Sequence, residues 1–179
     1  ACSGLAAVAN GPPAARPNIL FIISDDQAPG TLRAYGNTIC QTPNLDRLSA
    51  EGMTFDGAHH MGSWIGAVCR PSRTMIMTGR SLWHIPGRGN PYEGDASRIP
   101  TDIAEQTLPA VFNRAGYDTF RSCKLGNSYD EANKRFKTVK DKTCREGNVA
   151  DGSAWHADQV LDYLAERETA KLEAPFLIY

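Results

Sequence analysis

At 179 residues, with 41% apolar and 22% charged residues, the chain is long enough to bury a sizeable core, and its composition is unlike that of disordered or fibrous proteins. The formal net charge is −1 and the 19 Lys and Arg are spread without a block of like charges, which argues against a nucleic-acid or membrane-surface binder. No apolar run is long enough to form a transmembrane segment.

Residues 1–15 are small, apolar and Gly/Pro-containing, with no charge before Arg16, as in the tail of an export leader or a tether. Cys2 is a candidate lipid-bearing residue of a bacterial lipoprotein, a plain flexible leader being the alternative. Residues 18–24 (NILFIIS), between Pro17 and Asp25-Asp26, read as a strand buried on both faces, which argues for a parallel sheet. A helix is predicted from Pro43 to about Glu51, with Thr42 as N-cap, Leu45 and Leu48 toward the core and Gly52 as stop.

Residues 53–58 read as a short strand, 61–70 as a loop, and 71–78 as a helix stopped by Gly79, so Cys69 lies at a helix N-terminus. Further on, a helix over 108–115 ends at Gly116 and a strand covers 117–121. The basic stretch 134–142 reads as a solvated face or loop. A long helix spans 151 to about 173, and Phe176 opens a last strand that runs to Tyr179. Alternating strands and helices predict a three-layer α/β/α sandwich with a mostly parallel central sheet. Because the final apolar strand reaches Tyr179 with no cap or polar tail, residues 16–179 read as the N-terminal part of a larger, truncated domain.

The five cysteines contain no C-x-x-C pair, which disfavours a zinc ribbon or a dithiol redox centre. Cys123 and Cys144 are a candidate disulfide in an oxidising compartment, and free buried thiols fit equally well. Cys69 stands apart: at a helix N-terminus between Arg70 and Arg73, its thiolate is expected to be favoured, and the same features suit an anion. Asp25 and Asp26 follow a strand, where α/β folds place ligand groups, and two adjacent carboxylates call for a hard cation such as Ca²⁺ or Mg²⁺.

The run Cys69-Arg70-Pro71-Ser72-Arg73 through Thr78-Gly79-Arg80 resembles the C-x-P-S-R-x-x-x-x-T-G-R signature of sulfatases. In that family, of the alkaline-phosphatase-like superfamily, a maturation enzyme oxidises the cysteine to formylglycine. The resemblance implies Asp25, Asp26 and the residue at 69 as metal ligands, residue 69 as nucleophile, and Arg73 as the holder of its hydrated diol. Gln27 is implied as a nearby donor. One diol oxygen attacks sulfur and expels the alcohol; the other then expels sulfate and regenerates the aldehyde. The implied activity is that of a sulfuric-ester hydrolase acting on a small-molecule or carbohydrate sulfate ester, in an exported, periplasmic or extracellular protein.

Gly116-Tyr117-Asp118-Thr119 followed by Cys123-Lys124-Leu125-Gly126-Asn127 is similar to the family's G-Y-x-T…G-K-W-H-x-G segment. It carries over Lys124 as a contact to nucleophile and sulfate, a role suited to a compact ammonium. Here Cys123 replaces a glycine and Gly126 the histidine, with Asn127 a candidate substitute. Thr42-Pro43-Asn44-Leu45-Asp46 with Gly52 and Phe55 matches a further family stretch of structural character. His60 and His84 are candidate substrate contacts, and Trp64 and Trp83 candidate pocket walls. The family's later histidine, Asp-Asn metal pair and second lysine do not occur in these 179 residues, so activity from them alone is not expected. A phosphonate or phosphate monoesterase and a non-catalytic binder of sulfated ligands are the alternatives.

Overall fold

The computed structural model describes residues 16–63, 68–81, 84, 102–126, 128–143 and 152–179. The regular elements are β1 (Ile19–Leu20), α1 (Pro43–Glu51), α2 (Cys69–Thr78), α3 (Leu108–Arg114), β2 (Asp118–Arg121), α4 (Asp130–Asn133), β3 (Thr138–Val139), α5 (Ser153–Thr169) and β4 (Phe176–Ile178). The strands form one sheet in the order β1-β4-β2-β3, every neighbour parallel. The register sets Ile19 and Thr119 on either side of Leu177, and Phe120 beside Thr138.

Strand side chains alternate between the two faces of a sheet, and here that alternation sorts the core into two layers. Phe120, Phe176 and Ile178 point toward Tyr163, Val160 and Leu164 of α5. On the opposite face Tyr179 and Cys123 pack with Met77 of α2, Ala132 of α4 and Phe136, with Leu108 of α3 at the margin. Helices therefore cover both faces, giving the expected α/β/α sandwich. Asp118, on the α5 face, accepts hydrogen bonds from Tyr163 Oη at 2.8 Å and Arg167 Nη1 at 2.5 Å, tying that helix to β2.

Several local expectations change. The 18–24 segment is hydrogen-bonded as strand only at Ile19–Leu20, and Ile22 is 75% exposed. The reason is position: β1 is the edge strand and pairs with β4 alone. Helix α1 has the predicted bounds, but Leu48 is 63% exposed and Leu45 is exposed too, as nothing among the described residues packs over that face. The Thr42 hydroxyl bonds Asp46 Oδ1 at 2.9 Å rather than capping backbone N–H groups. Residues 53–58 form no strand, leaving Met53 79% exposed. The 134–142 stretch contributes β3, because Thr138 and Val139 pair with β2. Helix α5 closes at Thr169, well before residue 173, and Lys171 takes a positive φ of 51°. Cys123 is a free, buried thiol among the described residues, the second of the two alternatives. Cys2, Trp64, Trp83, Asn127 and Cys144 lie outside the described residues.

Candidate active site

The sheet ladder continues past its formal ends: Phe21 N–H donates to Ile178 O, Tyr179 N–H to Phe120 O, and Ser122 N–H to Tyr179 O. Parallel pairing therefore delivers Asp25-Asp26, Tyr179 and Lys124 to the same edge, outside the carboxyl ends of the strands, where α/β folds bind ligands. Helix α2 begins at Cys69 with Val68 as N-cap, a residue with no side-chain oxygen to satisfy the first-turn N–H groups. Gly79 ends it in the left-handed conformation (φ 63°), with its N–H on Met75 O.

Oxygen atoms of Asp25 and Asp26 and the sulfur of Cys69 lie within 4.8 Å of one another. Asp26 has a positive φ of 53°, a conformation Asp tolerates better than most side chains, in the turn that carries the two successive carboxylates. Cys69 Sγ is 3.6 Å from Asp26 Oδ1. Asp25 is held by two cations: Arg73 Nη2 donates to Oδ1 and Lys124 Nζ to Oδ2, each at 3.1 Å. Arg73, one turn into α2, also donates from Nη1 to the Cys69 carbonyl at 3.3 Å. Burial works against the Asp25 charge, but the Cys69 hydrogen bond, the Lys124 ammonium and the Arg73 guanidinium together hold its pKa below the ordinary carboxylate value.

The expected thiolate at Cys69 is not favoured. Burial first, then the Asp25 and Asp26 carboxylates, push its pKa above the ordinary thiol value, and Arg73 offsets this only in part. Arg70, the other expected neighbour, turns away to Asp130 at 3.4 Å in an exposed pair that contributes little. Two carboxylates suit a hard cation such as Ca²⁺ or Mg²⁺, whereas a thiol sulfur is a soft donor. The donor set fits such an ion once residue 69 carries oxygen in place of sulfur.

Among the described residues, no histidine joins the Asp25, Asp26 and Cys69 group. His60 Nδ1 accepts the Gly62 N–H at 2.9 Å, and His84 Nδ1 meets Ser81 Oγ at 2.8 Å, both local contacts of exposed rings. Gln27 Nε2 donates to Thr31 Oγ1 at 3.2 Å. Sequence reasoning missed Tyr179, which is buried beside Cys123 behind Arg73. The signal available was alternation along the last strand, which puts position 179 on the face opposite Ile178.

The family model described as Sulfatase matches residues 17–179. The N-acetylglucosamine-6-O-sulfatase of Bacteroides thetaiotaomicron is 36% identical over 104 residues, 58% of this chain and 17% of that protein. The human N-acetylgalactosamine-6-sulfatase is 36% identical over 111 residues, 56% of this chain and 20% of its own length. Bovine arylsulfatase A is 38% identical over 109 residues, 59% and 20%. The chain thus spans about a fifth of the length of these curated relatives. With its matched residues including both carboxylates, Cys69, Arg73 and Lys124, the chain belongs to the sulfatase family.

Proposed function

We propose that the protein containing these residues hydrolyses a sulfate monoester at a nucleophile made from Cys69 by oxidation to formylglycine, with Asp25, Asp26 and residue 69 holding a divalent cation, Ca²⁺ or Mg²⁺. The observation that supports it most is the convergence of two acidic side chains, the signature cysteine and two cations at one edge of a parallel sheet. The cation would supply Lewis-acid charge stabilisation and a lowered pKa for the attacking hydroxyl. Arg73, anchored to Asp25 and to the Cys69 carbonyl, orients the diol at 69. Lys124 places its ammonium on the same carboxylate, where it serves as the point charge for a sulfate oxygen. No step is assigned to His60, His84 or Asn127.

The names of the relatives favour a sulfate ester on an amino sugar or an aryl group as substrate. Residues 16–179 are then the N-terminal part of the catalytic domain, residues 1–15 an export leader or tether, and the mature protein periplasmic or extracellular. No helix among the described residues is long and apolar enough to cross a membrane.

The test is the full-length protein, coexpressed with a formylglycine-generating enzyme and assayed on paired sulfate and phosphate esters. Hydrolysis of the sulfate ester, with the peptide containing residue 69 lighter by the difference between a thiol and an aldehyde, is the expected result. Preference for the phosphate ester transfers the protein to the phosphomonoesterase reading. An aldehyde at 69 without turnover of either ester favours a binder, a result to which the Gly126 departure would then give meaning.

A further inference from the structure

Arg73 is 5% exposed and holds the candidate nucleophile with only one side of its guanidinium. Nη1 and Nη2 are committed to Cys69 O and Asp25, while the buried Nε–H has no hydrogen-bond partner among the described residues. The Tyr179 hydroxyl is in the same condition: the residue is 5% exposed and its Oη makes no hydrogen bond of normal geometry among the described residues. Buried polar groups are nearly always satisfied, and the Arg73 guanidinium is close enough to the Tyr179 hydroxyl to lower its pKa by charge and by hydrogen bonding, so the two orphans call for a common explanation.

The phenol is fixed in place by its surroundings. Its ring stacks on Phe21 at 5.4 Å, lies 6.2 Å from Phe136, and has the Arg121 guanidinium over its face at 5.8 Å. Burial and the nearby Cys123 raise its pKa to about 12, with Arg73 and Arg121 pulling against them, so at neutral pH the hydroxyl is intact and can both donate and accept. A donor with no acceptor on Arg73 and an acceptor with no donor on Tyr179 are complementary. A guanidinium held only through its two Nη atoms can still pivot about that edge; a contact at Nε fixes its plane.

We propose that Tyr179 is a positioning residue for Arg73, its buried hydroxyl accepting the Nε–H directly or across one water and so keeping the two Nη groups aimed at residue 69 and Asp25. This rests on the reading above in which Arg73 serves the nucleophile. Tyr179 touches no substrate in this scheme; it acts through Arg73 alone.

The experiment uses the full-length, matured protein and has two arms. In the first, Tyr179→Phe is compared with Phe136→Leu, which disturbs the same apolar cluster without touching the hydroxyl. The expected result for Tyr179→Phe is a kcat lowered roughly tenfold, the lower end of what loss of a supporting contact costs, with KM unchanged. Phe136→Leu should lower thermal stability and leave kcat at the wild-type value. Equal kcat in Tyr179→Phe and wild type, or equal kcat losses in both variants, overturns the proposal. In the second arm, a crystal structure of the wild-type protein at a resolution that shows ordered water should place Tyr179 Oη against Arg73 Nε, directly or through one water. Density that separates them further overturns the proposal whatever the kinetics. If the wild-type protein turns over no sulfate ester, the functional reading falls, and the density arm decides the contact. If Tyr179→Phe does not fold, 3-fluorotyrosine at 179, a weaker acceptor of nearly the same shape, replaces it with the same expected direction in kcat.

Discussion

Replacing Asp141 by alanine removes the partner of a fully buried guanidinium. Arg121 has no exposed surface, and its Nε–H is shared between the two oxygens of Asp141 at 3.1 Å each. Asn133 Oδ1 takes Nη1, and Tyr179 lies under the guanidinium. Asp141 Oδ1 also accepts the Cys123 N–H at 3.0 Å, which fixes the backbone one residue before Lys124. Breaking a buried ion pair by deleting one partner costs about 3–5 kcal/mol, because the remaining charge is stranded. The orphaned Cys123 N–H adds about 1 kcal/mol. The two losses together, about 4–6 kcal/mol, correspond at about 2 °C per kcal/mol, the value for large cooperative units, to a Tm lower by roughly 8–12 °C, measured by calorimetry on the full-length protein. The discriminating control is the double variant Arg121→Met/Asp141→Leu. Buried pairs exchanged for apolar side chains of similar size are often neutral, so the double variant should be more stable than Asp141→Ala alone. A Tm for Asp141→Ala within about 2 °C of wild type, less than 1 kcal/mol, would refute the argument, as would a double variant less stable than the single.

Three further outcomes are expected. In unmatured, chelator-treated protein, Cys69 should react with iodoacetamide only slowly at neutral pH, its rate rising above the ordinary thiol value of 9.0, with exposed Cys40 as internal reference; peptide mass spectrometry reads the rates, and a midpoint below 9.0 would contradict the raised pKa. Arg167→Ala should destabilise by about 3 kcal/mol, because it strips the 2.5 Å partner from Asp118 under α5; thermal melts check this. His156, whose Nδ1 meets Ser122 Oγ at 2.7 Å, has its pKa lowered by burial, with Asp141 opposing. A lowered histidine pKa means the unfolded chain binds the extra proton first, so this contribution is complete above the ordinary value of 6.5 and is lost as pH falls through the folded value. Melts of wild type and His156→Gln between pH 7.5 and 5 should show a steeper loss on acidification in wild type; parallel curves would refute it.

The helix α2 signature and the strand after Pro175 were legible in the sequence because local rules govern them: proline in the first turn, glycine at the left-handed stop, and a short apolar run. The neighbourhood of Asp25, Cys69 and Lys124 was legible through the motif and the strand-end rule together. What failed depended on partners far along the chain. Apolarity alone does not say that β1 is an edge, so Ile22 was placed in a core that the described residues do not build around it. Thr138 and Val139 become a strand only because β2 offers its free edge, and no local feature of a Lys-rich stretch announces that. The cysteine was misjudged for a related reason. Arg70 and Arg73 are adjacent to it in sequence, but the carboxylates that dominate its sulfur come from more than forty positions away, and Arg70 points elsewhere.

Those carboxylates act oppositely on the two elements residue 69 can carry. Against sulfur they are a penalty: Asp25 and Asp26 raise the thiol's pKa and keep it protonated, so an unconverted Cys69 is a poor nucleophile even at a helix N-terminus. With oxygen at that position the same two groups would complete a hard donor set for a divalent cation, which would neutralise their mutual repulsion and favour an ionised hydroxyl. In the proposed reaction Lys124, which shares Asp25 with Arg73 in the protein as it stands, would turn to the incoming ester's negative charge while Arg73 stays on residue 69. An arrangement that disfavours a thiolate and would, around a cation, favour an alkoxide is what the proposed conversion of Cys69 requires, and a site using the thiol itself would need the reverse.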